Sequence, residues 1–134
     1  MEDYKGEFVC IFAGYALEMQ EFVRSNSGIA SRIAYTFEFQ DYNQEELFEI
    51  FRVKLTSTGM RIHPDAVEPL VKVCKFAAGR RNFGNGRFVD KLLQKSLTKH
   101  ATRKHTDQED LLTLRKESVP EVNEIMESFG RFSG

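Results

Sequence analysis

Asn82-Phe83-Gly84-Asn85-Gly86-Arg87 is the stretch that most limits what this chain can become. Two glycines and two asparagines among six residues do not continue a helix; they suit a turn that allows positive φ. A clean amphipathic run comes next. Val89, Leu92, Leu93, Ser96, Leu97 and Ala101 recur at helical spacing, as one buried stripe of a helix from about residue 86 to about 104. At about 100° per residue, Arg87 lies about 200° round that helix from Val89 and projects off the stripe. It also sits on the first turn, beside the positive end of the helix dipole, which favours anions over cations. An arginine there reads as a group aimed at an anion. The same placement fits a solvated surface arginine in a flexible loop, and spacing alone does not separate the two.

Composition bounds the rest. The 134 residues make one domain or parts of two, and 41% hydrophobic residues, with 12% aromatic, can bury a core. A net charge of −1 gives no global attraction to nucleic acid or to a membrane surface. No apolar run approaches the ~18 residues of a transmembrane span. Met1-Glu2-Asp3-Tyr4-Lys5-Gly6-Glu7 is too charged for a signal peptide. Cys10 and Cys74, each in an apolar context, read as reduced core residues of a cytoplasmic protein. The cysteines and histidines show no ligand spacing, so no metal site is expected.

Phe8 to Ala13 is an apolar run of strand length, suited to a strand buried on both faces. A short helix comes after it, with Leu17, Met19, Phe22 and Val23, and Ser25-Asn26-Ser27-Gly28 breaks it. Ile29 to Arg32 suits one further turn. Ala34 to Gln40 alternates and is aromatic-rich, which predicts a second strand. Asn43 with Glu46 is a capping-box pattern, opening a helix with Leu47, Ile50, Phe51 and Leu55 inward and Gly59 as its stop. His63-Pro64-Asp65 opens the next helix, with a kink expected near Pro69. Beyond the long helix, whose end carries Lys99, His100, Arg103, Lys104 and His105, Thr106 to Glu109 reads as another capping box. Ser118 to Glu121 starts a last helix, and Phe132-Ser133-Gly134 reads as a frayed end.

Taken in order, these residues resemble one half of an AAA+ ATPase module. The resemblance rests on Phe8 to Tyr15, Met19, Phe22, Asn26 to Ile29, Ser31-Arg32-Ile33, Phe39 to Tyr42, Glu46-Leu47, Ile50-Phe51 and Asn82 to Arg87. It covers roughly residues 1 to 115, with the elements in family order, which is more specific than any single motif. The branch it is most similar to contains stage V sporulation protein K and the red-type Rubisco activases. The fold it implies is mainly α: the C-terminal remnant of an AAA+ α/β core, with two short strands, then a helical lid bundle of about four helices. The implied boundaries are 1–40 for the partial core, 41–117 for the lid with its sensor-2 motif, and 118–134 for a C-terminal helix and tail.

The resemblance also assigns roles. Phe8 to Ala13 becomes the fourth core strand and the 34–40 segment the fifth. In the family the first strand lies between them, and no counterpart to it occurs here, so the two strands are expected to pair abnormally, to pair between chains or to remain mobile. The sensor-1 position falls at Ala13-Gly14-Tyr15, which lacks the Asn or Thr that many relatives carry. Arg32 matches the arginine finger, which reaches in trans to the γ-phosphate in a neighbouring subunit's site. Ser27 stands where the family usually has Pro. Arg87 matches the sensor-2 arginine, so that Arg87, Asn85 and Gly86 become the cofactor-binding residues. Asp90 stands where the family often has a second basic residue.

No G-x-x-x-x-G-K-[S/T] loop and no apolar strand ending in Asp-Glu occurs in the chain, and phosphoryl transfer needs both. The chain therefore reads as the C-terminal part of a longer ATPase. ATP and Mg²⁺ are expected as cofactors of the full-length parent, with no tight binding and no hydrolysis by this part alone. Other AAA+ subunits, in hexamers, and a protein substrate are the implied partners, with no nucleic acid and no membrane. Two other readings remain. One is a non-catalytic helical interaction or adaptor domain. The other is a nucleic-acid patch built from Lys95, Lys99, His100, Arg103, Lys104 and His105, against which stands a solvated helix end with dipole-compatible cations.

Overall fold

A helix supplies its own backbone hydrogen bonds, whereas a strand needs a neighbour. The first part of the chain bears the consequence. The computed structural model describes residues 9–130, with side chains to residue 127. Phe8, the first residue of one expected strand, and the expected frayed end at 132–134 lie outside the described residues. The contacts divide the chain into two units, Met1–Gln40 and Asp41–Gly134.

In the first unit α1 spans Ala16–Ser25 and α2 spans Ser27–Ala30. Asn26 separates them, its side-chain amide donating to the Phe22 carbonyl at 3.0 Å. Gly14 lies under Met19 so closely that an added Cβ would come within 2.8 Å of its sulfur. Phe12 and Phe22 pack with ring centroids 5.8 Å apart. The expected strands are corrected here. Residues 9–13 and 34–40 have no β-ladder, and Val9, Ile11, Tyr35, Phe37 and Phe39 are exposed. Apolar and β-branched residues favour strand dihedrals, but among the described residues no neighbouring strand accepts their backbone bonds. Cys10 is exposed rather than in a core, for the same reason.

The second unit holds the core. α3 spans Gln44–Thr56 and opens on the expected box: the Asn43 side chain accepts from the Glu46 amide at 2.8 Å, and the Glu46 carboxylate accepts from the Asn43 amide at 3.1 Å. Gly59, at φ 88°, turns the chain after it. β1 (Arg61–Ile62) leads into α4 (Pro64–Ala78), which runs on through Pro69. α5 spans Gly86–Thr102, α6 Gln108–Leu111, β2 Thr113–Leu114 and α7 Val122–Gly130, with a 3-10 turn at Lys116–Ser118. β1 and β2 pair in parallel, Arg61 opposite Thr113 and Ile62 opposite Leu114. Two residues are too few for a readable period, so this pair has no signature in the sequence.

Leu47, Phe51 and Leu55 of α3 meet Leu70, Val73, Cys74 and Ala77 of α4 and Val89 and Leu92 of α5. Leu114, Val119 and Ile125 close the core from the C-terminal side. The buried side of α5 differs from the expected stripe. Phe88 and His100 are buried and Ala101 is exposed, because the side turned to the core begins one residue earlier. The helix stops at Thr102, since Arg103 is extended at φ −83°, ψ 145°. The cap of α6 is Asp107, not Thr106: its carboxylate accepts from the Asp110 amide at 2.8 Å. Ser118 is buried in the 3-10 turn, and α7 begins only after Glu121.

Candidate functional site

The turn that carries Arg87 is built from both sides. Phe83 before it and Phe88 after it are buried, edge to face, with centroids 6.1 Å apart and planes at 74°. These two rings fix the ends of the turn in the core. Between them the chain reverses, with positive φ at Gly84 (101°) and Asn85 (50°), and Asn82 just before them stands at 54°. The Arg87 amide donates to the Gly84 carbonyl at 2.9 Å, closing the turn. Arg87 itself is exposed on the first turn of α5, off the buried side, where the spacing placed it. A Cβ on Gly86 would meet nothing within 4 Å, so the backbone beside Arg87 stands open.

Asn85 does something the sequence did not signal. Its Oδ1 accepts from the Tyr42 amide at 2.8 Å, and its Nδ2 donates to Asp41 Oδ1 at 2.9 Å. The two partners are more than forty residues away in sequence, and Asp41-Tyr42 reads there only as the end of a strand. Asp90, one turn beyond Arg87, forms an ion pair with Lys54 of α3 at 2.5 Å. This carboxylate is thus tied to a cation of the neighbouring helix.

Arg87, Asn85 and Gly86 are therefore together on one turn. Arg32 belongs to the other unit. It lies exposed in the turn after α2, its amide donating to the Ile29 carbonyl at 3.0 Å. The adjacent Ser31 hydroxyl donates to the Gly28 carbonyl at 3.0 Å.

At the other end of α5 the cations have internal work. Lys99 pairs with Glu124 of α7 at 3.0 Å. Arg103 pairs with Asp110 at 3.3 Å, and His105 Nδ1 lies 3.6 Å from the same carboxylate. His100 is buried, and its Nε2 donates to the Leu111 carbonyl at 2.6 Å. His105 Nε2 donates to the His100 carbonyl at 2.8 Å. The carbonyls accept only, so both Nε2 atoms carry the proton. The Thr106 amide, at 3.0 Å, and then the Arg103 guanidinium hold the Asp110 carboxyl below its usual range, against the opposing effect of burial. Four of the six groups in the nucleic-acid patch are thus engaged within the fold. Among the described residues no cluster of three or more His, Cys, Asp or Glu is placed to hold a metal ion.

A helical bundle thus presents a basic side chain from a fixed glycine turn. Comparison with known proteins gives it a family. The sequence pattern of the AAA lid domain matches residues 43–128. The chain is 34% identical to Protein CbbX of Cereibacter sphaeroides, over 89% of this chain and 40% of that protein. It is 31% identical to the chloroplastic ribulose bisphosphate carboxylase/oxygenase activase of Cyanidioschyzon merolae, over 89% of this chain and 43% of that protein. With stage V sporulation protein K of Bacillus subtilis the identity is 29%, over 89% of this chain and 39% of that protein. The chain belongs to the AAA+ ATPase family, whose lid domain it contains. It spans about two fifths of the length of these relatives.

Proposed function

We propose that this chain is the lid-bearing part of an AAA+ ATPase of the stage V sporulation protein K and red-type Rubisco activase branch. In the whole protein, ATP binding and hydrolysis drive the remodelling of a protein partner by a ring of subunits in the cytoplasm. One observation carries this reading: Arg87 stands exposed at the positive end of α5, on a turn fixed by two buried phenylalanines. A cation there adds to the helix dipole instead of opposing it, and the pair suits a polyphosphate. Arg87 acts as sensor 2, gripping the phosphates, and the open backbone at Gly86 lets an anion approach. Asn85 serves by holding the turn. Arg32 acts in trans, as the finger that offsets charge on the γ-phosphate of a neighbouring subunit.

These residues fit the phosphate end of ATP. The magnesium that accompanies ATP, with the phosphate loop, is assigned to parts of the module that this sequence does not contain. The chain alone is accordingly proposed not to turn over ATP or hold it tightly. The test mixes it with the phosphate-loop portion of one of the relatives. Magnesium-dependent ATPase is expected from the mixture and from neither part, falling about 10²-fold or more in Arg87→Ala or Arg32→Ala. Turnover by the pure chain, or an undiminished rate with both arginines replaced, contradicts the proposal.

A second reading, a non-catalytic adaptor that docks on a partner ATPase, is favoured by the exposed apolar side chains of Val9, Ile11, Tyr35, Phe37 and Phe39. Binding in the same mixture without restored turnover selects it. We propose no nucleic-acid partner, since Lys99 and Arg103 are paired with carboxylates and His100 is buried. We propose no membrane partner; among the described residues no helix is long and apolar enough to cross a bilayer.

A further inference from the structure

Asn85 occupies a backbone conformation that suits glycine better. Its φ of 50° with ψ of −112° lies outside the regions side-chain-bearing residues favour. Gly84, one residue earlier, meets a similar demand at φ 101° without a side chain. What asparagine adds is an amide with two opposite ends, and both are used. Its oxygen faces the Tyr42 N–H and its NH₂ faces the Asp41 carboxylate. Asp41 and Tyr42 are the first two residues of the second unit, directly after Gln40, and Asn43 behind them caps α3. Two residues beyond Asn85 stands Arg87. The turn that carries the arginine is thus fastened to the first residues of the second unit, by a side chain and not by packing alone.

We propose that Asn85 is a positioning residue that couples the Arg87 turn to Asp41-Tyr42, the segment that leads into α3. When an anion draws Arg87, the turn moves as one piece with Asn85, and the displacement is felt at Tyr42 through its amide. This rests on the reading of Arg87 as a phosphate-gripping group. It makes Asp41-Tyr42, before the cap of α3, the place where nucleotide occupancy of the lid is read out.

The test is an amide-resolved NMR titration of the 134-residue chain with inorganic tripolyphosphate at low ionic strength. In the unsubstituted chain the Gly86, Arg87 and Tyr42 amide resonances are expected to shift together, with one half-saturation point. Asn85→Gly keeps the positive φ and removes the amide. Gly86 and Arg87 should still respond, while the Tyr42 response falls at least twofold. Asn85→Asp alone sets two carboxylates against each other and should behave likewise. Adding Asp41→Asn to it reverses the polarity of the pair and should restore the Tyr42 response. A Tyr42 response of unchanged size in Asn85→Gly, or none regained in the double variant, overturns the coupling while leaving Arg87's role intact. Failure is different if the anion moves neither Gly86 nor Arg87, or moves them equally in Arg87→Ala. That outcome removes the phosphate reading, and the coupling with it.

Discussion

The two units carry apolar residues of similar kinds and use them differently. In Asp41–Gly134, Leu47, Phe51, Leu55, Leu70 and Leu92 are buried completely. In Met1–Gln40, α1 has no buried residue, and Phe37 and Phe39 are 80% and 92% exposed. Composition does not separate them; the source of the backbone hydrogen bonds does. α3, α4 and α5 satisfy their own peptide groups and need only pack. Residues 9–13 and 34–40 need strands on either side before their side chains have a surface to cover. A helical lid is therefore a complete folding unit, whereas segments with strand-like side chains and no neighbouring strand are not.

The largest expected contrast is between two phenylalanines. Phe51→Ala should lower the unfolding free energy by about 3–5 kcal/mol in a urea titration of the chain, and Phe37→Ala by less than about 0.5. Equal losses would mean that the first unit has a core of its own. Next come two glycines of one turn. Gly84→Ala forces a side chain into φ 101° and should cost about 1–3 kcal/mol. Gly86→Ala meets open space within a helix and should instead gain up to about 1 kcal/mol. A loss at Gly86 in the same urea titration would show that a Cβ there meets a neighbour.

The two cysteines give a chemical version of the contrast. Burial pushes the Cys74 thiol up to about 12, so at pH 8 only about one in ten thousand is thiolate. A thiol reagent at that pH should modify Cys10 promptly and Cys74 only on unfolding, as mass spectrometry of the digested chain would show. The smallest effect is at Asp110. Its carboxyl is held below the ordinary value of 3.8, so its contribution is complete above that value and is lost as pH falls through the lower, folded one. Asp110→Asn should lower stability at pH 7 and make the acid limb of the stability–pH curve shallower. An unchanged acid limb would mean that the Thr106 and Arg103 contacts do not favour the charged form.

Legibility followed the same division. The box at Asn43, the stop at Gly59, the helix opening at His63-Pro64-Asp65 and the start of α5 were readable because each is a local signal, complete within a few residues. Arg87 was readable from spacing alone, as an exposed first-turn cation. The polar end of α5 was not. His100 carries a cation's reputation in sequence, and only the fold shows its Nε2 turned to the Leu111 carbonyl. The Asn85 clip and the Lys54–Asp90 pair join residues from distant parts of the chain, and no periodicity encodes such pairings. The segments at 9–13 and 34–40 carry strand-like side chains, but strand residues show what a segment favours, not whether a neighbour is present.

Amide hydrogen exchange tests the central claim most directly: the helical second unit folds by itself, while residues 9–13 and 34–40 lack strand neighbours. In the chain alone, α3, α4 and α5 should be protected and residues 9–13 and 34–40 should exchange at nearly the unfolded rate. Addition of the phosphate-loop portion of a relative should slow exchange in those two segments and leave α3 to α5 as they were. Protection of residues 34–40 in the chain alone equal to that of α5 would contradict the account.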